Sequence, residues 1–156
     1  MKQTIRNWKT GKVMFGGEYD GLRELVESHS ANLGGADLRG ADLKKWKYQI
    51  WIIPEEGSFI AWKKLNQNCI AKIEIPAKSK RTCNFRNRKC RASYVKTLSI
   101  TDSQGNEVKE MNGTHDKNTI YKVGRLTRAD KFDNDLREDC THGIHFFVTK
   151  QEALNW

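Results

Sequence analysis

Residues 31–45 read Ala31-Asn32-Leu33-Gly34-Gly35, Ala36-Asp37-Leu38-Arg39-Gly40, Ala41-Asp42-Leu43-Lys44-Lys45, one five-residue unit repeated three times. A period of five matches neither the 3.6 of an amphipathic helix nor the 2 of a half-buried strand. It constrains the segment to short extended sides joined by corners, and Gly34, Gly35 and Gly40 suit the corners because glycine tolerates positive φ. A solenoid buries its faces only by stacking several coils, and three units fall short of that. The repeat is therefore expected to be a small appendage, with the bulk of the fold elsewhere.

The Ala-(Asn/Asp)-Leu-x-x pattern resembles the pentapeptide-repeat family. That resemblance implies a right-handed β-helix with Ala and Leu pointing inward and four units to a turn, so residues 31–45 would make an incomplete coil. Ahead of them, Asp20 is a suitable helix N-cap, and Leu22, Leu25 and Val26 follow at helical spacing. A helix ending near His29 could cover one end of the coil. The other apolar end could be buried between two copies, which makes a homodimer an expected assembly.

Pro54-Glu55-Glu56-Gly57 marks a turn and an expected boundary between residues 1–54 and residues 55–156. Beyond it the chain reads as strands: Phe59 to Lys63, Cys69 to Ile75, Tyr94 to Thr101, Glu107 to Met111, Ile120 to Gly124 and Gly143 to Val148. Asp102 to Asn106 is a hairpin loop. Thr149-Lys150-Gln151-Glu152 is a capping box, which places a terminal helix over residues 150–156. The expected fold class is α+β: a mostly antiparallel sheet with a terminal helix, preceded by the N-terminal helix and the incomplete coil.

The 156 residues include 28 Lys and Arg against 19 Asp and Glu, a net charge of +9. An excess of cations suits an anionic partner such as nucleic acid, nucleotide or phosphate, or simply a soluble domain kept apart by surface lysines. No apolar run approaches the roughly 20 residues of a membrane span, and the first residues are too polar for a signal peptide. A cytoplasmic location, or the host cytoplasm for a viral protein, follows as an expectation, with no membrane association and with the four cysteines reduced.

Charge is densest between Ala77 and Lys96, which holds Lys78, Lys80, Arg81, Arg86, Arg88, Lys89, Arg91 and Lys96 with no acidic residue. Arginine forks hold phosphate at two points, and interleaved Phe85 and Tyr94 offer faces for stacking. Lys78 to Asn87 reads as a loop, where binding residues concentrate. The candidate ligand-binding residues are Lys80, Arg81, Arg86, Arg88, Arg91 and Tyr94, with Tyr121, His142 and His145 as pocket-lining partners. In the last strand Ile144, Phe146 and Val148 face the core, while His145 and Phe147 point the other way. Trp62 beside Lys63 is read as core packing.

A zinc site of Cys140, His142 and His145 lacks a paired Cys-x-x-Cys, and a Cys140–His142 nucleophile lacks an orienting acid and an oxyanion donor. No catalytic residues, metal or cofactor are therefore assigned. The acidic stretch Asp130 to Asp139 has no calcium-loop spacing. It is expected to be a solvated loop, or to fold back on the basic segment and neutralise it.

Phe59-Ile60-Ala61-Trp62-Lys63, Ile70 to Pro76, Arg88 to Ser93, Tyr121-Lys122-Val123-Gly124 and Cys140 to Phe147 resemble a domain of unknown function from tailed-phage proteins. The resemblance implies phage origin and carries no activity. Tyr121-x-Val123-Gly124 followed by Gly143-Ile144-His145-Phe146-Phe147 and a helix bearing Glu152 is also similar to ADP-ribosyltransferase-type domains, whose glutamate would correspond to Glu152 or Glu138. Three functions are carried forward: a non-enzymatic phage protein that binds a phosphate-bearing, nucleotide-like signal of host defence; a module that binds a host defence protein or nucleic acid through the basic loop; and an ADP-ribosyltransferase-like enzyme.

Overall fold

Short alternating segments punctuated by turn residues dictate a fold of small antiparallel sheets, and a computed structural model of the chain has this form. The structure describes residues 2–7, 10–18, 36–37, 51–84 and 87–156. The chain divides into two compact units, Met1–Gln49 and Ile50–Trp156.

In the first unit, β1 (Lys2–Asn7) pairs antiparallel with β2 (Val13–Glu18), and the hairpin turns at Gly11, whose φ of 68° suits glycine. On its other side β1 pairs with β3 (Ala36–Asp37). This pairing is antiparallel, Arg6 with Asp37 and Asn7 with Ala36. A β-helix coil instead stacks its sides in parallel. Neither a preceding helix nor a β-helix coil is present among the described residues. The expected helix near Asp20 to His29 and the remaining repeat residues lie outside them.

The second unit is built on a four-stranded antiparallel sheet of order β11-β8-β5-β4. These are β4 (Phe59–Lys64), β5 (Ile70–Ile75), β8 (Tyr94–Thr101) and β11 (Leu126–Arg128). A three-stranded sheet follows the order β12-β7-β6, with β6 (Arg81–Cys83), β7 (Cys90–Ala92) and β12 (Ile144–Phe146). A hairpin of β9 (Glu110–Asn112) and β10 (Ile120–Lys122) completes the sheets. The helix α1 (Lys150–Asn155) starts on the expected capping box, with Thr149 and Glu152 bonded reciprocally.

This corrects the expected α+β class. The described chain is mostly antiparallel β, and beside α1 its helical content is a single 3₁₀ turn at Asn66–Asn68. A six-residue helix cannot form a layer of its own. It packs Ala153 against Ile70 and Phe147 on the sheet.

Alternation along the strands places the core. Ile73 and Ile75 of β5 are buried between half-exposed Lys72 and Glu74. In β8 the inward residues are Val95 and Thr97 and then Ile100. The switch from odd to even positions follows from a bulge, because Ile73 pairs with Thr97 and Lys72 with Ser99, leaving Leu98 extra. Leu65, Tyr121, Ile144 and Phe146 join the same cluster. The two larger sheets are tied where Trp62 and Phe147 exchange backbone hydrogen bonds of 2.8 Å in each direction. That junction brings the end of β4 beside the end of β12.

Candidate functional site

Two cavities open where β4, β12 and the β9–β10 loop converge. The first, of about 340 Å³, is lined by Asp116, Thr119, Tyr121, Asp130, Thr141 and His142, among others. The second, of about 330 Å³, is lined by Lys64, Lys89, Cys140, Phe147 and Trp156. Both include Lys63, Thr114, His115 and His145, so they adjoin at these four residues.

Lys63 reaches this place through strand alternation. Ala61 and Leu65 of the same edge are buried, and Lys63 lies between them on the inward face. Its ammonium donates to the His145 carbonyl at 3.0 Å and lies 5.6 Å from the centre of the Tyr121 ring. Neither partner is an anion. Burial, and then the charge of Lys89, push the Lys63 ammonium down to a pKa of about 8. His145 arrives by the alternation expected for β12, with Ile144 and Phe146 buried on the opposite face. Burial and the nearby Lys89, Lys63 and Arg91 hold the His145 imidazole neutral down to about pH 4. Its Nε2 is buried with no hydrogen-bond partner. Phe147, expected to share the pocket-facing side, lines the second cavity but is itself buried against Ile70 and Ala153.

Two glycines shape the walls. A Cβ on Gly113 would stand 2.8 Å from the Asp116 carbonyl oxygen, so only glycine lets the β9–β10 loop close under Thr114 and His115. Gly143 has a φ of +134°, and a Cβ there would press on the Cβ of Arg91 at 3.2 Å. Glycine thus permits the turn into β12 against the buried arginine.

The basic segment is divided between structure and surface. Arg81 is buried and donates to the carbonyls of Ser79, Gly57, Pro76 and Ala77 at 2.7–3.1 Å, and to that of Pro54 at 3.5 Å, which engages all five of its N–H groups. Arg91, 1 % exposed, donates to the carbonyls of Asp133, Asp135 and Glu138. These two guanidiniums hold the fold together, and neither lines the two cavities described above. Arg88 is exposed and ion-paired with Glu152. Lys80 is exposed outside both cavities, Tyr94 lies under the Arg128 guanidinium at 4.5 Å, and Arg86 falls outside the described residues. Of the residues singled out from the sequence, Tyr121, His142 and His145 are brought together. His142 pairs with Asp130 at 3.2 Å.

The acidic stretch does fold back on the basic one. Besides the Arg91 clamp, Asp139 pairs with Lys89 at 3.2 Å and accepts from Asn87 at 3.0 Å. Lys89 also donates to the Cys140 thiol at 3.2 Å and lies 4.3 Å from the centre of the Trp156 ring. Glu152 is committed to the helix cap and to Arg88, and the acidic residues lining the cavities are Asp116 and Asp130. Cys83 and Cys90 form a disulfide, which corrects the expectation of four free thiols. The β6–β7 hairpin sets the two cysteines directly opposite each other. Cys69 and Cys140 are free. Among the described residues no group of three His, Cys, Asp or Glu is gathered for a metal ion, and no helix is long and apolar enough to cross a membrane.

Lys63, Lys64, Lys89, His115 and Trp156 were not singled out as site residues from the sequence. The signal for Lys63 was a lysine on the inward face of Phe59-x-Ala61-x-Lys63-x-Leu65. Nothing local marks His115 or Trp156, which join the site only through tertiary contacts. Residues 50–153 match the family of unknown function DUF5758, and the chain belongs to that family. No curated protein and no solved structure matches it.

Proposed function

We propose that the protein binds a phosphate-bearing, nucleotide-like ligand in the paired cavities, with Lys63 as the anion-binding group, and that it holds this ligand without turning it over. The observation that supports this reading is a half-buried ammonium whose partners are a carbonyl and an aromatic ring. A cation in this setting is under-compensated, and burial strengthens its attraction for an incoming anion. Lys64 and Lys89 add positive charge to the same walls. The orphaned Nε2 of His145, a buried polar atom, lies beside them.

The basic segment supports this site indirectly: Arg91 and Lys89 fasten the loop that carries Cys140 and His142. On the sequence resemblance, the proposal extends to a phage-encoded protein that sequesters a nucleotide signal of host defence.

Thermal unfolding against nucleotides, cyclic dinucleotides and inorganic pyrophosphate tests the reading. A ligand at 100 times its Kd stabilises the fold by about 2.7 kcal/mol. The expected result is a hit that disappears in Lys63→Met and persists in Lys80→Ala, whose side chain lies outside the cavities. No hit, or a hit indifferent to Lys63→Met, overturns the proposal.

A further inference from the structure

The two cavities differ in chemistry, and the difference narrows the ligand. The second is walled by Phe147, Trp156 and Cys140. Trp156 is held by Lys89 at 4.3 Å and by Phe147 at 5.4 Å between ring centres, yet remains 52 % exposed. An indole fixed on its neighbours and open to the cavity is a stacking plate for a planar ring. The first cavity presents carboxylates and hydroxyls instead. Asp130 engages His142 through one oxygen and is 71 % exposed, while Asp116, on the same lining, accepts from the Thr119 hydroxyl and the Asn118 backbone. Carboxylates accept hydrogen bonds from hydroxyl groups and repel phosphate. Between the two lies the cation Lys63 with the unpartnered His145 Nε2.

Resting on the function proposed above, we infer that the ligand is a nucleotide extended beyond its phosphates by a hydroxyl-rich group, a nucleoside diphosphate sugar in chemical class. The base stacks on Trp156, the bridging phosphates meet Lys63, and the sugar hydroxyls donate to Asp130. A plain nucleoside diphosphate leaves the polar cavity unfilled. A triphosphate drives its terminal charge toward two carboxylates. Only a neutral polyol past the phosphates satisfies both walls.

Isothermal titration of the full chain with ADP, ATP, ADP-glucose, UDP and UDP-glucose tests this. At least one sugar conjugate is expected to bind tenfold or more tighter than its parent diphosphate, and ATP no tighter than ADP. Asp130→Ala is expected to remove most of the conjugate's advantage while leaving the parent diphosphate's affinity unchanged, and Trp156→Ala to weaken both. A diphosphate that binds as tightly as its conjugate, or a conjugate advantage that survives Asp130→Ala, overturns the inference and leaves the phosphate-binding proposal standing. Failure of all five probes overturns the inference, and the phosphate-binding proposal then stands or falls on the cyclic dinucleotides and pyrophosphate; binding that survives Lys63→Met overturns both. Asp130 is exposed, so its variant is expected to fold normally, and an unchanged unfolding midpoint checks this.

Discussion

Replacing Lys63 by Met should make the free protein more stable at neutral pH, although it removes two visible contacts. An ammonium pushed from 10.5 down to about 8 carries a penalty for its protonated form of about 3 kcal/mol at neutral pH, at about 1.4 kcal/mol per pH unit. The hydrogen bond to the His145 carbonyl and the approach to the Tyr121 ring favour the same protonated form and are already inside that net shift. Met carries no charge to desolvate and is therefore favoured at pH 7, by about 1–3 kcal/mol once imperfect packing of the thioether is counted. The pH dependence is the sharper test. The unfolded lysine keeps its proton to about pH 10.4 and the folded one releases it near 8. Between these values the unfolded chain binds more protons, so wild type gains stability relative to Lys63→Met as pH rises, and below 8 the penalty is fully present. Urea unfolding followed by tryptophan fluorescence at pH 7, 8, 9 and 10 reads this directly. The gap should narrow by about 2–3 kcal/mol by pH 10. A variant less stable than wild type at pH 7 by an amount that does not change toward pH 10 would refute the under-compensated cation. The same titration governs binding: affinity for a phosphate probe should fall about fivefold between pH 8 and pH 9 as the ammonium deprotonates.

Two further outcomes follow from the way the site is supported. Arg91→Lys keeps one positive charge but cannot span the carbonyls of Asp133, Asp135 and Glu138. Loss of at least one such bond in a buried setting should cost about 2–3 kcal/mol in urea unfolding and open residues 133–139 to limited proteolysis; an unchanged cleavage pattern would count against the clamp. Reducing the Cys83–Cys90 disulfide, whose sequence separation is 7, should lower stability by about 2 kcal/mol on the chain-entropy account. Equal denaturation midpoints with and without reductant would show that the bond contributes little.

Local patterns made several elements legible. Tyr94 to Thr101 forms the strand that its composition suggests, and Thr149 and Glu152 cap the terminal helix as their spacing requires. Two short strands inside the basic segment were not legible. Arg81–Cys83 lies in what reads as the loop Lys78 to Asn87, and Cys90–Ala92 was assigned no element, because charged residues in short runs carry no period. They become strands because Arg81 and Arg91 find enough carbonyl acceptors to be buried. That is a tertiary outcome which no window of sequence can contain, and it turns the densest run of charge into scaffold.

The candidate site was legible in its parts and hidden in its assembly. The alternation Phe59-x-Ala61-x-Lys63-x-Leu65 puts a lysine on an inward face, and Ile144-x-Phe146 turns His145 away from the core. Each half is a local, period-two statement about one strand. That the two halves meet depends on the pairing of Trp62 with Phe147, residues 85 positions apart, each accepting a 2.8 Å hydrogen bond from the other's backbone. A one-residue slip in that pairing would turn Lys63 or His145 to the opposite face. The packing of Phe147 against Ala153 and Ile70 guards the register from one side, and the Lys63 bond to the His145 carbonyl guards it from the other. The cation at the centre of the proposed site therefore also helps to hold the two strands in the alignment that creates the site. For this reason the Lys63 substitution must be read by its pH dependence as well as by loss of binding, since loss of binding alone would not separate a missing charge from a shifted strand.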